Sequence, residues 1–234
     1  MKVIYWSDYA CPYCYIGEAR LKKAIRELGA ENRVKLEMKA FQLDPYAGEK
    51  ATGDTLTRFA HKYGLTKEAA AQQIEGISQL GIDEGLDFKY ATTLFTNTMD
   101  AHRLTKLAQR RGVADKVIES LFRAYFSDNL ELANKELLQR IGEEAGLDAK
   151  EVRELLSSDR FQDEVLRDEE EAAINGIHAV PFFVVGDRYG ISGAQSVAGM
   201  KATLEKALQE EQQRNEELKL TSGMTCGPEG CRIQ

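Results

Sequence analysis

The sequence predicts an α/β fold interrupted by a large all-helical insertion, and three features of the 234-residue chain predict it. Short apolar strand signals stand near both ends of the chain, at residues 2–6 and 181–185, next to segments of helical periodicity. Between them, residues 46–159 carry apolar positions at helical spacing and almost no strand signal. The composition, 43% hydrophobic and 29% charged, is that of a globular protein long enough to bury a sizeable core.

The opening of the chain predicts a parallel β-α-β unit. After the strand at residues 2–6, Pro12 suits the first turn of a helix, where its missing N–H needs no partner. Apolar residues then recur at roughly helical spacing until Gly29 supplies a stop. Residues 33–41 alternate polar and apolar side chains and predict a second strand, so that the two strands pair in parallel through a crossover helix.

The middle of the chain predicts a helical subdomain. Residues 45–65 are interpreted as a loop and then a helix, and five more helices are predicted at 66–80, 97–111, 114–127, 134–145 and 149–157. The breaks fall at Gly64, Gly112 and Gly146, and the side chains of Asn134 and Asp148 are typical N-caps.

The last third predicts a return to α/β structure. A charged helix at 159–174 precedes the strand at 181–185, a hairpin turn, a return strand at 189–192 and a last helix, which either ends near Glu210 or extends outward through the polar residues 210–217 before fraying. The order β-α-β, helical insert, α-β-β-α is the thioredoxin arrangement with its middle interrupted. We therefore predict a thioredoxin-like domain from 1–45 and 160–212, a helical subdomain at 46–159 and a flexible tail at 213–234.

Cys11 and Cys14 stand where a strand gives way to a helix, which predicts redox chemistry. Free amide groups and the helix dipole at a helix N-terminus stabilise a thiolate, the reactive form of cysteine. Cys11 occupies the cap position and is predicted to be the nucleophile, whereas Cys14, one turn in and shielded, is predicted to resolve mixed disulfides. Half of a zinc site and a pair of inert buried thiols are the alternatives.

The two residues between the cysteines influence the reduction potential of the Cys11–Cys14 pair. Pro12 removes one N–H, and Tyr13 offers neither a cation nor a strong donor to the thiolate. We therefore expect a reduction potential of roughly −200 to −250 mV.

Val180-Pro181, directly before the late strand, predicts a cis-proline loop that faces the cysteines. In thioredoxin-like proteins the backbone of this loop pairs with an extended substrate chain. An ordinary trans proline at the start of an edge strand is the alternative.

Charge and hydropathy exclude some classes of partner. The net charge of −7 argues against nucleic acid, which needs a basic surface. No apolar run approaches the ~18 residues that span a bilayer, and residues 1–8 lack the features of a secretory signal. We expect a cytoplasmic protein, in which cysteine pairs are more often redox-active or metal-binding than structural.

The cysteine motif, the helical insert and the sequence around Val180-Pro181 together resemble the DsbA superfamily, and more narrowly its FrnE-like branch. The segments that carry the resemblance are residues 8–17, 41–45, 97–104, 176–183 and 191–195. It implies disulfide exchange with protein substrates on a thioredoxin fold with a helical insert. Periplasmic DsbA proteins usually have His where this chain has Tyr13, which argues against strong oxidase activity.

The same architecture also occurs in the kappa-class glutathione transferases and the 2-hydroxychromene-2-carboxylate isomerases, which typically have Ser in place of Cys11. A glutathione-dependent transferase or isomerase is therefore the second hypothesis, and a zinc-stabilised binding module is the third. No resident cofactor is expected. Glutathione is one candidate co-substrate, because the turn at Ser192 precedes a helix whose N-terminus could hold a carboxylate of glutathione. The alternative is that Ser192 is the N-cap of that helix.

Further candidate residues lie outside the cysteine motif. Cys226 and Cys231 stand in a tail rich in glycine, and they are interpreted as a relay pair, a local disulfide or zinc ligands, alone or with the first pair. Asp8 is a candidate proton carrier. The resemblance places Asn97 and His102 near the cysteines, where His102 would steady the thiolate or the substrate. The oligomeric state stays open.

Overall fold

The computed structural model describes the backbone of residues 1–222, 224–227 and 230–233, and the side chains of residues 1–218. The chain opens with strand β1 (Lys2–Ser7), helix α1 (Pro12–Glu27) and strand β2 (Lys35–Ala40). Six helices follow: α2 (Thr55–Tyr63), α3 (Lys67–Asp83), α4 (Met99–Arg111), α5 (Ala114–Phe126), α6 (Lys135–Ala145) and α7 (Ala149–Leu156). They match the predicted insertion, with a short 3₁₀ turn at Tyr90–Thr92.

The chain then returns to α/β structure with α8 (Gln162–Ile174), β3 (Phe182–Val185), β4 (Tyr189–Ser192) and α9 (Val197–Ser222). The four strands β1 to β4 form one sheet in the order β2-β1-β3-β4. β1 pairs in parallel with β2 and antiparallel with β3, and β3 pairs antiparallel with β4. This is the predicted thioredoxin-like fold.

Alternating side chains of β1 serve the two faces of this sheet. Val3 and Tyr5 point into the main core, where the Tyr5 ring stacks on Phe183 of β3 at 5.7 Å. Trp6 points to the other face, packs against Ala172 of α8 and donates from Nε1 to the Asp168 carbonyl. The central strand is therefore covered on both sides.

The helical insertion shares its core with the sheet. Tyr15 of α1 stacks on Phe122 of α5 with ring centroids 4.9 Å apart, and Phe88 and Phe126 continue the aromatic contacts. One hydrophobic cluster contains residues of β1, α1, α4, α5 and α9. The insertion is thus fixed to the face of the sheet that carries α1.

The predicted caps and breaks of the helical part are confirmed. The Asn134 side chain accepts from Leu137 N, and that of Asp148 accepts from Lys150 N and Glu151 N. Gly112 and Gly146 end α4 and α6 in the left-handed conformation, which costs glycine little.

The last helix extends beyond Glu210, as one of the predicted alternatives has it, and continues to Ser222, because residues 210–222 are mostly good helix formers and contain no Gly or Pro. Gln212 Nε2 also donates to Glu216 Oε1 one turn on. The segment predicted as a flexible tail holds this helical extension and the antiparallel strands β5 (Met224–Gly227) and β6 (Gly230–Ile233).

None of the helices in the described part of the chain is both long and apolar enough to cross a bilayer.

Candidate active site

Cys11 is the N-cap residue of α1. It stands at the position where α6 and α7 have residues whose side-chain oxygen accepts from the first amides. A turn in which Cys11 N donates to Asp8 O leads from β1 into the helix. Cys11 has extended backbone angles (φ −91°, ψ 115°), and Pro12 begins the helix. No side chain caps the first turn, and no acidic residue lies in it. The N-terminal end of α1 and its dipole are therefore available to a negative charge on this sulfur.

Cys14 lies one turn further, behind Cys11. Its side chain is buried, and its Sγ accepts a hydrogen bond of 3.5 Å from the Asp8 amide. Burial raises the pKa of the Cys14 thiol, and the neighbouring Cys11 raises it further. Cys11 is 5% exposed and Cys14 is 1% exposed, and both are free thiols. The geometry therefore makes Cys11 the sulfur nearer to solvent.

The loop before β3 faces the cysteines. The Val180–Pro181 peptide bond is cis. The Cys11 thiol donates to the Val180 carbonyl oxygen at 3.6 Å, and Gly193 N donates to Pro181 O at 2.8 Å. The turn after β4 thus holds the loop against the start of α1.

Gly17 allows α1 and this loop to approach, and sequence reasoning gave it no role. A Cβ at Gly17 would lie 2.9 Å from Pro181 Cγ and 3.3 Å from the Phe183 ring, closer than side chains tolerate. A glycine inside a helix costs about 1 kcal/mol relative to alanine. Its occurrence in the second turn of α1 is a sequence signal for such close packing.

Asp8 and His102 form a buried pair behind the cysteines. Their side chains are 2% and 1% exposed, and His102 Nε2 lies 3.5 Å from Asp8 Oδ1. Asp8 Oδ2 also accepts from Leu43 N at 2.7 Å. Since His102 comes from α4 and Asp8 follows β1, this pair connects the helical insertion to the sheet beneath Cys14. Asp8 and His102, two of the candidates named from the sequence, are therefore brought together.

Asn97 lies in the same region but has a structural task. Its Oδ1 accepts from Met99 N at the start of α4, and its Nδ2 donates to the Pro45 carbonyl. It therefore joins the start of the helix that carries His102 to the loop after β2.

Ser192 does not cap α9, contrary to one of the two predictions made for it. It is the exposed last residue of β4, and α9 starts only at Val197. Ser196 is the residue that accepts from Gly199 N there. The helix starts later than predicted because Gly193 first adopts a left-handed turn conformation (φ 73°).

Apolar side chains surround the approach to Cys11. Tyr13 is 41% exposed. Partial burial raises the pKa of its hydroxyl, and the nearby Tyr63 of α2 raises this pKa further. Leu43, whose amide binds Asp8, is also exposed. The insertion and the loop after β2 thus both supply apolar surface next to the motif.

The second cysteine pair is described by its backbone alone. In the β5–β6 hairpin Cys226 is the register partner of Cys231. The side chains of both cysteines lie outside the described residues. Among the described side chains, no three His, Cys, Asp or Glu groups are placed to hold a metal ion.

Comparison with known proteins gives a consistent picture. The family of DSBA-like thioredoxin domains matches residues 2–205 of this chain. The crystal structure of a probable DsbA oxidoreductase, SCO1869 from Streptomyces coelicolor, has a TM-score of 0.85 and 33% sequence identity. The match covers 100% of this chain and 99% of that chain.

Two more distant structures share the fold. A 2-hydroxychromene-2-carboxylate isomerase has a TM-score of 0.66 and 16% identity, covering 93% of this chain and 99% of its own. The cytosolic disulfide reductase DsbM from Pseudomonas aeruginosa with GSH has a TM-score of 0.62 and 16% identity, covering 89% and 100%.

Proposed function

Because the chain belongs to the family of DSBA-like thioredoxin domains, we propose that it exchanges disulfides with protein substrates through Cys11 and Cys14. The observation that carries the proposal is the start of α1, where a cysteine stands at an otherwise uncapped helix N-terminus with a second, buried cysteine behind it. A thiolate at the cap position is stabilised by the amides and dipole that no other side chain uses.

The two sulfurs divide the reaction. The Cys11 thiolate attacks one sulfur of a substrate disulfide, forms a mixed disulfide with it and releases the other sulfur as a thiolate. Cys14 then attacks Cys11 Sγ, so that the Cys11–Cys14 disulfide forms and the substrate leaves reduced. Two electrons pass from the cysteine pair to the substrate, and the reverse sequence oxidises a substrate dithiol. The absence of a cation at Tyr13 supports a couple of roughly −200 to −250 mV rather than a strong oxidant.

The substrate is an extended segment of a protein chain. The Val180 carbonyl, next to Cys11 Sγ, is placed to pair with the backbone of such a segment, as in strand addition. Tyr13, Leu43 and Tyr63 would contact apolar side chains on either side of the disulfide.

Reduction of insulin in the presence of dithiothreitol tests the proposal. We expect the full chain to accelerate insulin reduction and Cys11→Ser to lower the rate to that of dithiothreitol alone. Cys14→Ser should instead accumulate a mixed disulfide, detected by mass spectrometry as an adduct on Cys11. The contribution of the second pair is measured with Cys226→Ser combined with Cys231→Ser, a variant that retains both motif cysteines and should still reduce insulin through Cys11. Insulin reduction that survives Cys11→Ser would contradict the proposal.

Glutathione is the second candidate partner, as a co-substrate that reduces the Cys11–Cys14 disulfide in the cytoplasm. The fold shared with DsbM, a cytosolic disulfide reductase solved with GSH, supports this role. Kappa-class transferase or chromene isomerase activity is the alternative, and the two-cysteine motif argues for exchange instead. Turnover of a chromene carboxylate by the Cys11→Ser variant would favour the alternative.

We propose the second cysteine pair as a relay that exchanges with the first, and we propose that the chain belongs to the FrnE-like branch. The register of β5 and β6 supports it, because directly opposed residues in an antiparallel pair have Cα atoms about 4.5–5.5 Å apart, within the range that a disulfide bridges. Truncation after Leu218 tests the relay. Unchanged turnover and an unchanged redox state of the first pair would remove it.

A further inference from the structure

Arg20, in the third turn of α1, connects two segments that are distant in the sequence, and the exchange steps proposed above do not use it. Its Nε donates to Glu84 Oε1 at 2.7 Å, at the C-terminal end of α3. Its Nη1 donates to the Ala194 carbonyl oxygen, also at 2.7 Å. Ala194 belongs to residues 193–195, which we call the β4 turn because they follow β4. One guanidinium group therefore joins the helical insertion to the β4 turn.

The β4 turn holds the cis-proline loop in place. Gly193 N donates to Pro181 O at 2.8 Å. Val180, on the other side of the cis peptide bond, carries the carbonyl that accepts from the Cys11 thiol. A displacement of the β4 turn would therefore shift the backbone that faces Cys11.

Arg20 is the side chain that fixes the β4 turn from outside. Two hydrogen bonds of the turn are local: Gln195 N donates to Gly193 O at 3.0 Å, and Gln195 Nε2 donates to Ser192 O at 2.8 Å. Among the side chains that the structure describes, none besides Arg20 reaches the β4 turn from another element with a hydrogen bond. The position of the turn thus depends on how Arg20 itself is held.

Glu84 holds the guanidinium group of Arg20 in one orientation. The two side chains are 15% and 11% exposed, so solvent competes little for their hydrogen bond. Lys23 Nζ lies 3.6 Å from Glu84 Oε2, which keeps the carboxylate beside α1. Because the N–H groups of a guanidinium lie in a fixed plane, an arginine whose Nε binds Glu84 directs its Nη1 to a fixed place. A lysine has a single ammonium group and cannot bind both acceptors with this geometry.

We propose that Arg20 is a positioning residue for the substrate, a role that rests on the function proposed above. Together with Glu84 it fixes the β4 turn, and through the turn it fixes the Val180–Pro181 backbone, where an extended substrate segment would pair. A backbone that is already ordered lowers the entropy that binding costs, so Arg20 increases the affinity for an extended chain. Arg20 acts on the loop and not on the sulfurs, so the intrinsic reactivity of Cys11 does not depend on it.

Two disulfides of different size separate substrate positioning from thiol reactivity. The first is a pair of extended apolar peptides of about eight residues, joined by a disulfide and carrying a fluorophore and a quencher. The second is dithionitrobenzoate, which is too small to pair with the cis-proline loop along its length. Reduced protein carrying Cys226→Ser and Cys231→Ser is mixed in excess with either disulfide at about pH 7, under single-turnover conditions. For the peptide, the dependence on protein concentration gives a half-saturating concentration and a limiting rate.

Arg20→Met removes both donors and retains the apolar stem of the side chain. We expect it to raise the half-saturating concentration for the peptide about 10-fold, to change the limiting rate less than about twofold and to leave the dithionitrobenzoate rate unchanged. Arg20→Lys should recover only a small part of the lost affinity, whereas Glu84→Gln, which retains an acceptor for Arg20, should stay within about threefold of the parent. Arg26→Met, which changes an exposed arginine of the same helix, is the matched control and should behave like the parent.

An unchanged half-saturating concentration in Arg20→Met would overturn the positioning role. An equal loss with the peptide and with dithionitrobenzoate would also overturn it, because a general distortion of the site slows both disulfides. If urea unfolding shows that Arg20→Met does not fold, Glu84→Leu, which removes the acceptor that orients Arg20, decides by the same criterion. A parent that reacts with dithionitrobenzoate but not with the peptide would instead refute the proposed function, whereas normal rates in both the parent and Arg20→Met refute the role of Arg20 alone.

Discussion

The N-termini of α1 and α7 have the same backbone design but opposite chemistry. At α7, Asp148 has extended backbone angles, and its carboxylate accepts from Lys150 N at 3.0 Å and Glu151 N at 2.9 Å. At α1, Cys11 has similar angles, yet no side chain caps the first turn. In α7 the permanent charge of Asp148 accepts from the first amides. In α1 no side chain does so, and the N-terminus can stabilise the charge that forms when a thiol ionises. The lack of a capping side chain is thus what suits the N-terminus of α1 to a reactive thiolate.

The largest test of this comparison is to give α1 an ordinary cap. Cys11→Ser should abolish disulfide exchange and at the same time raise the free energy of unfolding of the reduced protein by about 0.5–1 kcal/mol, since serine is a preferred N-cap. Insulin reduction and urea unfolding measure the two effects. A Cys11→Ser variant less stable than the reduced parent would argue that the sulfur itself is a structural cap.

A cation at the second helical position should change the reduction potential when it lies in α1 but not when it lies in α7. Tyr13→His places a charge near the Cys11 thiolate, stabilises the reduced form and should raise the reduction potential by about 30 mV or more, equivalent to about 1.4 kcal/mol. Lys150 already places a cation at the corresponding position of α7, so Lys150→Tyr, which removes that cation, is the matched control and should leave the reduction potential unchanged. Glutathione redox titration measures both, and equal potentials in the two variants would contradict a local effect.

Removing the ordinary cap should affect stability alone. Asp148→Ala is expected to lower the free energy of unfolding by about 1 kcal/mol, because two amides of α7 lose their acceptor. Asp148→Asn retains an acceptor and should lose much less. The reduction potential of both variants should equal that of the parent; a shifted potential would mean that α7 is coupled to the redox site.

The smallest expected effect is a decrease in the free energy of unfolding of the reduced protein as the pH rises. Burial raises the pKa of Cys14 in the folded state, so the unfolded chain releases this proton first as the pH increases. The contribution of Cys14 to stability is therefore complete below about pH 8.5 and should fall by about 1 kcal/mol or less by about pH 9. Urea unfolding of the reduced parent and of Cys14→Ala measures the difference, and a difference that grows with pH would contradict the burial argument.

Most of the fold could be predicted because its signals are local. The apolar run of β1, the alternation in β2, apolar periodicity in the helices and caps such as Asn134 act over a few residues. The sequence leaves the end of α9 open because residues 210–222 have good helix propensity but no apolar periodicity.

The site was predictable only in part. Cys11 and Cys14 share one helix turn, so their spacing alone brings them together. The approach of His102 to Asp8 depends on how α4 packs against the turn that follows β1, nearly a hundred residues away in sequence.

The central claim is that the N-terminus of α1 makes Cys11 the reactive sulfur, and the rate of alkylation tests it most directly. Reduced full-length protein is treated with iodoacetamide at about pH 7, and mass spectrometry of the digested chain follows Cys11 and Cys14 separately. The account predicts that Cys11 reacts faster than the same cysteine in the urea-unfolded chain and that Cys14 reacts more slowly. Equal rates for Cys11 in the folded and unfolded chains would contradict it.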